Sequence, residues 1–316
     1  MELKIVFMGT PEFGATILEG LIKANFKPVL VVTAPDKPAG RKQILTPPPV
    51  KFIAQTSNIP FEQPESILNL ESQISNLKPD LIIVAAYGQI FPQEILDIPK
   101  KGSLNVHPSL LPKYRGPSPI QNSILNGNKE TGVSVILMDA RLDCGPILSQ
   151  RKTEIGVNET AKQLHDRLAI MGSELLIDTI PDWIRGQIKI QPQEETTATY
   201  TKALKREDGK INWGKSAEEI EKQIRAFDYW PGSFTLWQIL KGTLLRVKIL
   251  KTRVFRSFDG KKYPIGKILV VPQNEIGVQC EKDFLILEEL QLEGKRPMAS
   301  EKFLRGHPDF IGTILK

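Results

Sequence analysis

Asn105 and His107 stand two residues apart in SLNVHPSLLPKYRG, residues 103–116. Residues two apart on a strand project from one face, so an amide and an imidazole would sit side by side. An amide N–H can stabilise negative charge on an acyl oxygen, and an imidazole can accept or pass on a proton. That pair suits acyl transfer. A lone histidine is more often structural, and the neighbouring asparagine shifts the balance. A third group follows. A strand-like stretch at 133–138 leads into a loop where Asp143 precedes Cys144, Gly145 and Pro146. If the two strands are neighbours, Asp143 can reach His107 and the three side chains converge on one crevice. Aspartate before Gly-Pro is also a common turn former, and taken alone that reading is the stronger one.

These side chains need elements to place them. Short apolar runs at 3–8, 29–33, 81–86, 103–106 and 133–138 are rich in Val, Ile and Leu without clean alternation, as in parallel strands buried on both faces. Amphipathic helical patterns lie between them, at 14–24, 50–55, 67–77 and 119–125. Strands alternating with helices predict an α/β fold: a Rossmann-like, open, mostly parallel sheet with helices on both faces. In such sheets ligands bind at strand C-termini, where Asn105 and His107 fall. A long helix is predicted over 159–180, ending at Pro181.

The character changes near residue 190. Residues 191–200, QPQEETTATY, are polar and weakly periodic, so 190–205 reads as a linker between a catalytic domain (1–189) and a second domain (206–316). The second domain begins with a short helix at 216–227, whose Ser216 and Glu219 form a capping box. Five or so short strands follow, at 234–239, 244–255, 265–271, 277–280 and 284–287, and suggest a small antiparallel barrel or sandwich, of which an OB-like β-barrel is the expectation.

Composition narrows the chemistry. With 41% hydrophobic and 25% charged residues in 316, wholesale disorder is excluded. Two cysteines cannot build a disulfide scaffold or a four-thiolate zinc site, and three histidines at 107, 165 and 307 argue against a metal site. No apolar run reaches the roughly 18–20 residues of a membrane span, and the N-terminus shows no signal-peptide regions, so a soluble cytoplasmic protein is expected. The net charge of +6 is uneven: residues 1–205 hold 22 basic and 21 acidic side chains, residues 206–316 hold 20 and 15. Nine of the basic residues lie between Lys241 and Lys267, with Asp259 the one acid among them. Such a cluster fits either a polyanionic partner or a solvated face.

The first strand runs into Gly9-Thr10-Pro11-Glu12-Phe13-Gly14. Proline at 11 excludes the dinucleotide fingerprint, and Ala15-Thr16 excludes a phosphate-binding P-loop. A strand-to-helix turn without a cofactor role is the expectation, and a nicotinamide dehydrogenase loses its main support.

Asn105-Val106-His107, Ser109-Leu110-Leu111-Pro112, Arg115-Gly116, Thr131-Gly132-Val133 and Asp143 with Gly145 together resemble the folate-dependent formyltransferases. Gly9-Thr10-Pro11, the run Pro35 to Arg41, Tyr87-Gly88, Ile211-Asn212-Trp213 and Trp230-Pro231-Gly232 narrow the resemblance to the bacterial branch that acts on initiator methionyl-tRNA. The resemblance runs from about residue 3 to about residue 305. It implies formyl transfer from 10-formyltetrahydrofolate to the α-amino group of methionine on initiator tRNA, by a monomer. Asn105 would hold the oxyanion, His107 would move the proton and Asp143 would orient His107; His107 and a water relayed by Asp143 both stay open as the immediate base. No metal is required, since the formyl group is already activated by an amide-like nitrogen.

In such relatives, the loop matching Ser109, Leu110, Leu111 and Pro112 lines the folate; packing beneath the loop is the other reading of the two leucines. The inserted loop 35–49, with Lys37, Arg41 and Lys42, would reach the acceptor arm, staying mobile until it meets a polyanion. Arg246 with Lys248, and Lys251 with Arg253, would share faces of a strand, Lys248 and Lys251 meeting tRNA phosphates. Three other classes share parts of this pattern. A small-molecule formyltransferase shares the Asn-His-Asp set but not the second domain. A non-catalytic RNA-binding protein leaves that set unexplained. A dehydrogenase fails at Gly9–Gly14.

Overall fold

The computed structural model describes residues 3–40, 43–239, 242–256 and 260–316. Arg41 and Lys42 lie outside the described residues. The chain divides into two compact units: one of Met1–Pro119, Glu130–Glu154 and Leu164–Lys202, the other of Ile120–Lys129, Ile155–Gln163 and Ala203–Lys316.

The first unit opens with β1 (Ile5–Gly9), α1 (Glu12–Lys23) and β2 (Leu30–Val32). A hairpin of β3 (Lys37–Ala39) and β4 (Ile44–Thr46) follows, then α2 (Pro49–Thr56), β5 (Phe61–Glu62), α3 (Glu71–Leu77), β6 (Leu81–Ala85), α4 (Gln93–Leu96) and β7 (Ser103–His107). The chain continues through α5 (Pro119–Leu125), which falls in the second unit but for its first residue, and then β8 (Glu130–Leu137), β9 (Ile147–Glu154) and α6 (Ala161–Ile184), the last belonging to the first unit from Leu164 on. Seven strands form one sheet in the order β5-β2-β1-β6-β7-β8-β9. The pairs from β5 to β7 are parallel, and β8 and β9 are antiparallel to their neighbours. Every residue of β1 and β6 is buried, as expected of central strands covered on both faces. One side packs Val6, Met8, Ile82 and Val84 against Ile74 and Ile95.

Gly9 and Gly14 act through their size. A Cβ on Gly9 would stand 2.8 Å from the Ala85 carbonyl oxygen, and one on Gly14 only 2.7 Å from the same atom. Both are closer than real Cβ contacts allow, so these glycines let the start of α1 lie against β6.

Four features depart from the sequence reading. The segment 35–49 is not an unstructured loop: β3 and β4 pair from Lys37↔Thr46 to Ala39↔Ile44. Its root is held by Asp36, which accepts from Lys51 at 2.8 Å and from Gln63 at 2.7 Å. Helix α6 runs past Pro181 to Ile184, because the proline falls in the last turn and removes one hydrogen bond, while Leu176 and Ile180 stay buried beside it. Gly186, at φ +69°, then ends the helix region. Strand β9 has an alternating exposed face on an edge and lacked the apolar run that marked the others. Finally, residues 190–202 are part of the first unit.

The second unit contains α7 (Ala217–Ala226), β10 (Phe234–Gln238), β11 (Leu244–Phe255), β12 (Ile268–Val271), β13 (Glu275–Gln279), β14 (Phe284–Leu292), β15 (Met298–Ala299) and α8 (Ser300–Gly306). Ser216 caps α7 and Glu219 completes the capping box. The antiparallel sheet runs β10-β11-β14-β13-β12, with β15 on β14. Its two edges are joined by the last residues of the chain. Gly312 N donates to Ile268 O at 3.0 Å and Leu315 N to Gly266 O at 2.9 Å, beside β12. Lys316 exchanges two 3.0 Å bonds with Leu236 of β10. The strip 312–316 thus closes the sheet into a barrel, around Trp237, Phe303 and Phe310. No helix among the described residues is long and apolar enough to cross a membrane.

Candidate active site

Strand β7 lies parallel to β6, with Asn105 opposite Val84, and antiparallel to β8, with Asn105 opposite Ile136. Asn105 is its one half-buried residue, the other four being buried. Because β8 runs against β7, its C-terminal end lies beside the start of β7, so Asp143 does not arrive at a shared strand end. It arrives on the loop between β8 and β9, which folds back over the sheet. A Cβ on Gly145 would strike the Leu137 carbonyl, so this close return requires glycine. Asp143 itself takes a left-handed conformation, φ +53°.

The three side chains do converge. Asp143 Oδ1 accepts from Asn105 Nδ2 at 3.2 Å, and Oδ2 accepts from the Gly116 main-chain N–H at 2.7 Å. His107 Nδ1 lies 3.7 Å from Oδ2, with both side chains largely buried. A carboxylate only accepts, so the Asn105 NH₂ end must face Asp143. One of its two N–H groups is then engaged, and the other has no partner among the described residues. His107 Nε2 lies 3.0 Å from the Tyr114 carbonyl. A carbonyl also only accepts, so Nε2 carries the hydrogen, and in the neutral ring Nδ1 keeps its lone pair.

Further residues at the site carried no role in the sequence reading. Arg115 is completely buried. Its Nε donates to Gln193 Oε1 at 3.0 Å, its two terminal nitrogens to Glu195 at 2.9 and 3.0 Å, and Nη1 to the Tyr200 hydroxyl at 2.7 Å. The bond to Glu195 holds this guanidinium more firmly protonated than usual, and the same bond lowers the Glu195 pKa. The Gln193 amide donates to the carbonyls of Asp143, at 2.8 Å, and Gly145, at 2.7 Å. Thr199 and Thr201 bond the main chain of Arg115. The supposed linker is therefore a strap laid over the site. Arg115 sat in a motif and could have prompted a search for an acidic partner; the polar composition of 191–200 gave no sign of the strap.

Ser109, Leu110, Leu111 and Pro112 divide into two roles. Ser109 and Leu111 are buried. The Ser109 hydroxyl donates to Lys113 O at 2.6 Å, Leu111 N donates to Ser134 Oγ at 3.1 Å, and Leu111 O accepts from Gln150 at 2.8 Å. Leu111 packs against Ile136 and Ile147. Leu110 and Pro112 remain half-buried. Among the described residues, no group of three or more His, Cys, Asp or Glu side chains could hold a metal ion.

In the second unit, the cations of β11 differ from one another. Lys251 is paired with Glu288 at 3.1 Å. Arg253 is paired with Glu275 and lies 3.6 Å from Glu288. Arg246 stacks on the Phe234 ring with its guanidinium carbon 3.5 Å from the centroid, and burial lowers its pKa. Lys248 has no ion pair among the described residues. The cations expected to share faces of this strand are thus not equivalent, because Glu288 of β14 and Glu275 of β13 reach Lys251 and Arg253.

Residues 3–180 match the formyl transferase family, and residues 203–308 match the formyl transferase C-terminal domain. These two matches define the class of protein, a formyl transferase. The methionyl-tRNA formyltransferase of Citrifermentans bemidjiense is 43% identical over 99% of this chain and 96% of its own length. That of Bacillus velezensis is 43% identical over 99% and 97%. The chain belongs to the methionyl-tRNA formyltransferase family. Solved structures share the fold. The N-formyltransferase of Helicobacter canadensis, in complex with folinic acid and dTDP-3-aminofucose, has a TM-score of 0.66 and 24% identity, covering 90% of this chain and 98% of that one. HypX of Aquifex aeolicus, in complex with tetrahydrofolic acid, has a TM-score of 0.63 and 16% identity, covering 96% and 47%.

Proposed function

We propose that this chain transfers the formyl group of 10-formyltetrahydrofolate to the α-amino group of methionine on initiator methionyl-tRNA, acting as a cytoplasmic monomer. The observation that carries the reading is the convergence of Asn105, His107 and Asp143 in a chain 43% identical to methionyl-tRNA formyltransferases along nearly its whole length.

The folate supplies a formyl carbon activated by an amide-like nitrogen, and the half-buried surfaces of Leu110 and Pro112 would face it. Asn105 has a spare amide N–H, whose direction is set by the bond of its partner N–H to Asp143. That N–H stabilises negative charge developing on the formyl oxygen, a role worth about 10²–10³-fold in rate. His107 accepts the amine proton at Nδ1, since Nε2–H is committed to Tyr114 O. As the amine nitrogen bonds to the formyl carbon and the formyl–N10 bond breaks, His107 passes that proton on to N10 of the leaving tetrahydrofolate, with the Asp143 carboxylate 3.7 Å from Nδ1 holding the ring in place. Lys248 of the second unit contributes to holding the tRNA backbone, and Arg41 and Lys42 do so from the inserted segment.

The test is transfer of labelled formyl to charged initiator tRNA, with glycinamide ribonucleotide as the control acceptor. Label is expected on the tRNA. Label on the ribonucleotide instead would overturn the choice of acceptor.

A further inference from the structure

The residue that presents Asp143 to the site lies 50 positions away in sequence, on the strap. We infer that Gln193, oriented by Arg115, is a positioning residue for the formyl transfer, holding the Asp143 loop so that its carboxylate stays against Asn105 and His107. The inference rests on the catalytic reading of Asp143 given above.

Three relationships carry it. First, the Gln193 amide is polarised in one direction. Arg115 Nε donates to Oε1, so the NH₂ end must face the loop, where it meets the carbonyls of both Asp143 and Gly145. These two carbonyls bracket Cys144, so one side chain fixes the backbone on both sides of the turn. Second, Arg115 cannot rotate freely. It is completely buried, its fork is matched by Glu195, and Tyr200 takes a further donor. Third, the carboxylate end is fixed through the same residue. Gly116, whose N–H binds Asp143 Oδ2, follows Arg115 directly, and the main chain of Arg115 is tied to Thr199 and Thr201. Backbone and side chain of Asp143 are therefore both referred to Arg115, one through Gln193 and one through Gly116. Such double anchoring is what a residue at φ +53° needs if its carboxylate is to keep one direction.

The test uses the full-length enzyme. Gln193→Glu keeps the side-chain length and the acceptor for Arg115 Nε, but offers the two carbonyls a carboxylate instead of an N–H donor. The expected result is a kcat lowered about tenfold or more, with KM for tRNA within about twofold of the parent. Gln193→Met, which has neither donor nor acceptor at similar length, should do the same and serves if Gln193→Glu does not fold. The decisive measurement is the double variant. If Gln193 acts through Asp143, adding Gln193→Glu to Asp143→Ala should lower kcat by less than about twofold further. A full tenfold loss in that background, or an unchanged kcat in the single variant, would overturn the inference while leaving Asp143 catalytic. A near-parental kcat for Asp143→Ala would remove the catalytic reading itself, and the inference with it.

Discussion

His107 Nδ1 faces Asp143 Oδ2 across 3.7 Å, while the other ring nitrogen is held by Tyr114 O at 3.0 Å. The ring has thus one nitrogen committed and one lone pair directed toward a carboxylate. Replacing Asp143 with Asn keeps the size and removes the charge, and His107→Ala removes the acceptor. Each change, and Asn105→Ala, should lower turnover by at least about 10²-fold while the far-ultraviolet spectrum stays that of the parent. Turnover near the parent's in a folded His107→Ala enzyme would show that the proton goes elsewhere.

Gly132 lies beneath the loop that carries Leu110. A Cβ there would strike first the Arg151 carbonyl oxygen of β9, which is fixed in the sheet, and would stand 2.6 Å from Leu110 Cδ2, which can move. Gly132→Ala should therefore displace Leu110, cost about 1–3 kcal/mol, and raise KM for the folate more than KM for tRNA. Thermal melting and the two KM values check this; equal KM changes would mean that Leu110 does not touch the folate.

Lys248 and Lys251 are close in sequence but should differ in effect. Lys251 is already neutralised by Glu288. Lys248→Ala should reduce the salt dependence of tRNA binding by about one counterion, and Lys251→Ala should leave it nearly unchanged. Affinities measured over a range of potassium chloride decide between them.

Asp80 accepts a hydrogen bond from the Lys4 main-chain N–H at 2.9 Å, with Lys100 at 3.1 Å. The Lys4 bond, before the Lys100 charge, lowers its pKa below the usual carboxylate value. A carboxylate lowered in the folded state adds stability above its unfolded pKa, near 4, and loses it as pH falls through the folded value. Asp80→Asn should lower Tm at neutral pH, and the gap from the parent should close in acid. A gap that widened below about pH 4 would contradict the assignment.

The central strands and the pairing of Asn105 with His107 were legible because buried parallel strands leave an apolar run and a strand has period two. The antiparallel course of β8 was not, since direction in a sheet leaves no mark in local pattern. Nor was the strap. Gln193, Glu195 and Thr199 have the composition of a loop; the buried guanidinium of Arg115 makes partners of the first two and its main-chain N–H binds the third, and none of this leaves a periodicity. The charge cluster at 241–267 was visible as a sum, but Glu275 and Glu288 reach it from other strands.

The strip 312–316 joins β10 to β12, and the Thr235 hydroxyl donates to the carbonyl of Lys316, 81 residues further on. While the strip is undocked, β10 and β12 each keep a bare edge along which a strand of another chain can pair. The same residues 312–316 that complete the barrel therefore also shield it from its neighbours.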